Sequence, residues 1–425
     1  MTMAHALPAP LAPARTESFQ KIVTASAAFF VFCGMMSLIE PSPYDFASFV
    51  AIPLWLIGGV RVSRYAVPIL VLWTLFQVVN FLSLTPWWSN WYSTLYQLQS
   101  LYLFITVVFF TLFFSERTIP RMQACMTAYA WSAAFSAFVA VLSYIGLFGL
   151  DSLTTIEGRV AGTFKDPNAF GSYIPFGAVL FMQWFLLGRD RRPFLQLIGL
   201  ATVIAGVLLS FSRGSWGATL VGMATMTAVT FVTHRDPAMR RRVTLMGAIV
   251  VAALALMLVV VLSQDAIREF FLQRAAVTQE YDQGVTGRFG NQLRSIPMLL
   301  ERPFGFGPLQ FRAYFQLDPH NSYIGAFANG GWAGGFLWLF IVGSTFFVGF
   351  RLMFAASPYR DMAQAVFSSL MVLLLQGFQI DIDHWRQLFL MFGMVWGLEI
   401  ARRKWLARPP QPATLAAQRD LRTAA

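Results

Sequence analysis

Twelve apolar runs, cut apart by polar and basic breaks, organise the sequence. They cover about residues 22–39, 46–60, 66–84, 95–114, 123–149, 170–187, 194–211, 216–233, 243–263, 322–350, 362–380 and 386–400. A spanning helix needs about 20 mostly apolar residues, fewer where it is distorted. The pattern predicts an all-α fold, a polytopic membrane helix bundle of about 12 transmembrane helices. The first run follows Arg15 and Lys21 as a signal peptide would, but no small-residue cleavage site comes after it and a further apolar run does. It reads as a retained first helix. Residues 1–21, with three prolines in ALPAPLAPAR, read as a disordered end, 22–263 as helices one to nine, 321–400 as helices ten to twelve, and 401–425 as a basic tail.

Residues 264–320, between the ninth and tenth runs, form a connection whose length is uncommon without a function. DAIREFFLQRAAVTQEYDQ and NQLRSIPMLLER within it have amphipathic helical spacing, the second stopped by Pro303 and Gly305. The cluster TPWWSNWY at 85–92 suits an interfacial aromatic belt.

Composition removes the soluble alternative: of 425 residues 57% are hydrophobic and 12% charged, where a soluble domain carries about a quarter charged. Cys33 and Cys125 lie in apolar runs and offer neither a disulfide framework nor a CxxC metal site. A net charge of +11 would suggest nucleic acid for a soluble chain; here the cytoplasmic bias of basic loops accounts for it, and no nucleic-acid partner is expected. With both ends inside, 21 of the 31 basic residues and 7 of the 20 acidic ones fall on the cytoplasmic side, and the 264–320 loop falls outside.

The basic residues on the outer side then need another reason. EGRVAGTFKDPNAFGSY carries Arg159, Lys165 and Asn168; SFSRGSWGA carries Arg213; the long loop carries Arg288 and Arg294; DIDHWR carries Asp381, Asp383, His384 and Arg386. Arg213 has apolar residues close on both sides and so sits at or below the membrane surface. A charge at a helix centre costs roughly 2.5–3.5 kcal/mol on insertion scales, which favours a polar cavity or a bound anion; the alternatives are headgroup snorkelling or a carboxylate such as Asp381. Arg159 reads equally as a loop arginine paired with Glu157 or Asp166, Lys165 as a plain surface residue, and Asn168 as a helix N-cap.

His320 stands where the long loop re-enters the membrane, followed by Asn321. A neutral imidazole, with an ordinary pKa of about 6.5, can take a proton from a hydroxyl at physiological pH; a capping or interfacial histidine is the other reading. Gly330, Gly331, Gly334 and Gly335 follow at a spacing that lets helices approach closely. Asp381, Asp383 and His384 form a second acid/base group or a polar connection with Arg386 paired to a carboxylate. If they approach His320, one carboxylate orients its ring.

RVAGTFKDPNAFGSY at 159–173, SFSRGSWGA at 210–218, the Arg288 segment ending in ERPFGFGP, and HN-x9-GxxG at 320–334 together resemble the O-antigen ligase and polymerase superfamily of integral-membrane glycosyltransferases. No GTT follows Gly334, as it does in some ligases. The resemblance implies a cell inner membrane protein with its active site in the periplasm. It implies an undecaprenyl-diphosphate-linked glycan donor and an acceptor hydroxyl on lipid A-core or another glycan. Arg213 and Arg288, with Arg159 or Arg294 in support, would bind the diphosphate, and His320 would activate the hydroxyl. No cofactor is implied, and the outer loops lack the clustered carboxylates or His/Cys set of a dedicated metal site, so metal-independent, inverting transfer is expected. Ligase is favoured over polymerase or protein O-oligosaccharyltransferase. A transporter is the rival of another class, although transporters gather ionisable groups near the midplane and these gather at outer helix ends.

Overall fold

The structure, a computed structural model, describes residues 17–150, 155, 156, 158–188, 192–263, 265–275, 284 and 287–408. The expectations for residues 1–16, for Arg189 and Arg191, for Glu157, for AVTQEYDQ at 276–283 and for the tail beyond 408 lie outside the described residues.

The helices in chain order are α1 (Glu17–Cys33), α2 (Pro43–Ile57), α3 (Val67–Leu84), α4 (Trp91–Phe114) and α5 (Thr118–Tyr144), then a two-residue antiparallel pair, β1 (Thr155–Ile156) with β2 (Arg159–Val160). After it come α6 (Pro167–Tyr173), α7 (Pro175–Leu187), α8 (Pro193–Leu209), α9 (Arg213–Thr233), α10 (Pro237–Leu262), α11 (Asp265–Ala275), α12 (Arg288–Leu300), α13 (Phe311–Phe315), α14 (Ser322–Phe354), α15 (Arg360–Gln376) and α16 (Arg386–Leu406). Six stretches among the described residues are long and apolar enough to cross a membrane, α3, α4, α5, α6 with α7, α9 and α14. That is fewer than the twelve runs of the sequence. α2 and α8 are apolar but only 15 and 17 residues long, and α16 ends in Glu399, Arg402, Arg403 and Lys404. The architecture is that of a helical, multi-pass membrane protein.

Local sequence sets the helix starts. Asn90 caps α4 by accepting from the Ser93 amide at 3.2 Å, and Asp45 closes the start of α2 by accepting from Ser42 N at 2.7 Å; each satisfies an amide that helix geometry leaves orphaned. α6 is capped by Asp166, which accepts from Asn168 N at 2.7 Å and Ala169 N at 3.0 Å. Asn168 is thus not the cap, and its side chain is free to serve elsewhere. Glycines seat the helices closely: a Cβ on Gly393 or Gly397 of α16 would meet Phe110 and Phe114 of α4 at 2.3 and 2.5 Å. The aromatic core lies between these helices and α3, where Trp73 meets Trp338 and Phe389.

Connections predicted on one side of the membrane gather at one end of the bundle. Ser37 N donates to Thr163 O (3.0 Å), Arg159 Nε to Ser210 O (2.9 Å), and Ser93 Oγ to Pro308 O (2.7 Å). At the other end Arg117 pairs with Glu17, Lys404 with Glu116, and His234 lies 3.8 Å from Asp361.

Candidate active site

The connection between α15 and α16, residues 377–385, is the point on which the site is built. Ser322 N donates to Gly377 O at 2.8 Å, Ile382 N to Ser322 Oγ at 2.6 Å, and Asn321 Nδ2 to Phe378 O at 3.2 Å. These bonds seat the start of α14 on that turn. Asn321 also caps α14, accepting from Tyr323 N (3.0 Å) and Ile324 N (3.1 Å), which is the structural job of the asparagine in the HN pair.

His320 has φ +46°, a left-handed conformation that is uncommon for a residue with a Cβ and costs of order 1–3 kcal/mol unless its surroundings impose it. Asp381 imposes it: Oδ2 accepts from His320 N at 3.0 Å and Oδ1 from Asn321 N at 2.9 Å. The same Oδ2 lies 3.6 Å from His320 Nδ1. The two side chains remain 36% and 29% exposed. Burial, then the charge of Asp383, pushes the Asp381 carboxyl up to about 7 against the pull of the two amide donors.

Asp383 answers in the other direction. Burial alone would raise it, but hydrogen bonds and charge from His384 and a bond from Tyr96 hold it below the usual carboxylate range. Tyr96 Oη donates to Asp383 Oδ2 at 2.6 Å and accepts from Asn329 Nδ2 at 2.9 Å. His384 Nδ1 is 3.2 Å from Asp383 Oδ2, and its Nε2 is 3.0 Å from Ser100 Oγ. Tyr96, Ser100 and Asn329 were not singled out from the sequence. The available signal was a line of polar side chains inside apolar helices, Gln77, Asn80, Ser93 and Gln97, all buried.

The basic residues divide. Arg288, first in α12, donates from Nη1 to Gln379 O at 3.3 Å, two residues before Asp381. Arg213, first in α9, precedes Gly214, whose carbonyl accepts from Gln376 Nε2 at 2.9 Å, just before the same connection. Arg159 links to that helix start, donating from Nε to Ser210 O and from Nη2 to Asn168 Oδ1 at 2.8 Å. Arg294 turns back instead, bonding Asn291 Oδ1 at 2.5 Å and lying 5.5 Å over the Phe315 ring. Lys165 lies 3.3 Å from Glu40, both about half exposed, and Arg386 pairs with Asp45 at 3.2 Å, not with its neighbouring aspartates.

Gly330 and Gly334 let α14 approach α3, where a Cβ would stand 2.8 Å from Asn80 Oδ1 and 3.7 Å from Val79 Cγ1, while Gly331 does something else. Gly331 has φ +65°, ψ −163° and interrupts α14; a Cβ there would stand 2.3 Å from Pro303 O. Into the break fits the ERPFGFGP segment: Phe306 N and Gly307 N donate to Ala328 O at 2.7 and 3.1 Å, and Trp332 N donates to Pro303 O at 2.9 Å. The interruption frees a carbonyl and an amide, and the long loop supplies their partners. His320 therefore heads a short half-helix tied on one side to the 377–385 turn and on the other to the long loop.

Residues 198–339 match the family model described as O-antigen ligase. The superfamily read from the motifs is the one this comparison supports. The stretch holds Arg213, Arg288, Arg294, His320, Asn321 and the glycines to Gly335; Arg159 and the 381–386 cluster lie outside it. No curated protein matches the chain.

Proposed function

We propose that the protein is an O-antigen ligase-like glycosyltransferase that moves a glycan from undecaprenyl diphosphate to an acceptor hydroxyl, with lipid A-core the favoured acceptor, at the periplasmic face of the inner membrane. The supporting observation is the convergence of three helix starts, those of α9, α12 and α14, on the α15–α16 connection, bringing Arg213, Arg288 and His320 to one turn. Helix N-termini and guanidinium forks both favour phosphate oxygens. In this reading the helices at all twelve apolar runs span the membrane, both described ends face the cytoplasm, and residues 264–320 form the periplasmic unit.

His320 Nδ1 faces Asp381, so Nε2 takes the acceptor proton. The acceptor oxygen forms its bond to the anomeric carbon from the face opposite the phosphate, the carbon–oxygen bond to the diphosphate breaks, and its electron pair leaves on the bridging oxygen. Arg213 and Arg288, with Arg159 beside them, offset that growing charge; Arg294 joins only by releasing Asn291. The configuration inverts, and the imidazolium returns its proton to the leaving diphosphate or to water. Transfer needs no metal in this scheme.

Purified protein supplied with a lipid-diphosphate glycan and lipid A-core should form the conjugate, in EDTA as well as without it. Extension of the lipid-linked glycan itself, with no conjugate, would assign polymerase activity. Wild-type rates from both His320→Ala and Arg213→Ala would refute the enzyme reading.

A further inference from the structure

The α12 helix turns its faces the opposite way from a helix at a water boundary. Its inner side is polar, with Asn291, Gln292 and Ser295 all buried. Its outer side is a stripe at the i, i+4, i+7, i+11 spacing of one helical face: Phe289, Leu293, Ile296 and Leu300 are 45, 69, 45 and 66% exposed. A stripe of large apolar side chains open to water is unfavourable by about 25 cal/mol per Å² of apolar surface and marks a surface that another phase or molecule covers. The neighbouring surface says which. Trp332 of α14 holds the end of α12, donating from Nε1 to Leu299 O at 2.9 Å, and the exposed face of α14 continues through Phe336, Phe340 and Phe347, a helix apolar and long enough to span a membrane. The α12 stripe is thus continuous with surface that faces lipid.

We propose that α12 lies in the plane of the membrane with its outer stripe among the acyl chains of the adjacent leaflet, and that this seating holds His320 in place. The second half rests on the role proposed for His320; the first does not. An in-plane helix of this kind gains its position from buried apolar area. The polar underside of α12 carries the effect inward: Gln292 Nε2 donates to Pro319 O at 3.0 Å and to His320 O at 3.3 Å, on the side of His320 away from the Asp381 carboxylate. Gln292 is a positioning residue acting through His320, and the bilayer is a wall of the site.

Cys33 and Cys125 are buried, so single nitroxide labels at Leu293→Cys and at Glu301→Cys can be read in nanodiscs of phosphatidylethanolamine and phosphatidylglycerol. The label at 293 should collide with oxygen in preference to an aqueous nickel chelate, and the label at 301 the reverse. Equal access of the chelate to both sites overturns the lipid contact, as does dipolar broadening at 293 from a second copy. For the coupling, Leu293→Glu and Gln292→Leu should each lower kcat by about ten- to hundredfold, the cost of misplacing a reacting group, at an unchanged donor KM. Full activity of both, with the 293 label still in lipid, sinks the coupling alone. The accessibility result is independent of any transfer assay.

Discussion

The two ends of the bundle treat buried carboxylates differently. At the end predicted to face the cytoplasm, Glu399 is 1% exposed and sits among Arg351, Arg402 and Arg403; a single carboxylate meets three guanidiniums, and its charge is fixed. At the other end Asp381 is held by two backbone amides, and Asp383 by a phenol and an imidazole. Amides and a phenol fix a carboxylate's direction without neutralising it; burial and then the charge of Asp383 raise Asp381, while His384 and Tyr96 hold Asp383 down. The first arrangement secures helices; the second keeps a group near its point of titration.

The comparison breaks first at His320. Replacing it by alanine should reduce transfer by about 10² to 10⁴, with thermal unfolding of the purified protein unchanged within a few degrees; a comparable fall in stability would make His320 a structural residue. Asp381→Asn should cost about ten- to hundredfold in kcat, as loss of an orienting contact does, and should also change the pH profile. With the carboxyl at about 7, activity of the wild type falls as pH drops through 7, because a protonated Asp381 loses its charge and accepts more weakly from His320. The asparagine variant lacks that limb. Stability runs the other way: the folded value lies above the ordinary 3.8, so the native state binds the extra proton between about 4 and 7 and loses stability as pH rises across that window. Urea unfolding midpoints at pH 5 and 7 check the sign.

At the opposite end Glu399→Gln should lower stability by about 2–3 kcal/mol. That is somewhat below the 3–5 kcal/mol of fully buried pairs, since Arg351 and Arg403 are over two-fifths exposed. The folded fraction should keep its transfer rate. Lys165→Ala should change stability by less than about 0.5 kcal/mol, as exposed pairs do, and leave the donor KM unchanged; a raised KM would bring Lys165 into the diphosphate site.

The spacing of apolar runs located the helices because lipid imposes one length and one polarity on a span, whereas shorter helices and charged helix ends blur the count. Arg213, Arg288 and His320 stood out as candidates because each is a polar residue at or next to a helix start on the side where basic residues are expected to be scarce. The role of Gly331 was not. A GxxG spacing reads as close packing of two helices, and nothing local reveals that Gly331 adopts a positive φ to admit a loop 25 to 30 residues upstream. Nor does sequence alone show that Asp381, rather than His384, is the neighbour of His320, since that depends on which way a turn faces. Arg294 has the same spacing and charge as its neighbours yet bonds within its own helix, a choice decided by Asn291 one turn earlier.

The turn that gathers the candidate groups belongs to residues 377–385, which a ribosome makes after every segment it gathers. Until α15 and α16 are in place, the arginines and the histidine have no common anchor; on the function proposed above, a partly synthesised chain would hold the ingredients of transfer without the assembled machine and stay inert until its own construction is finished.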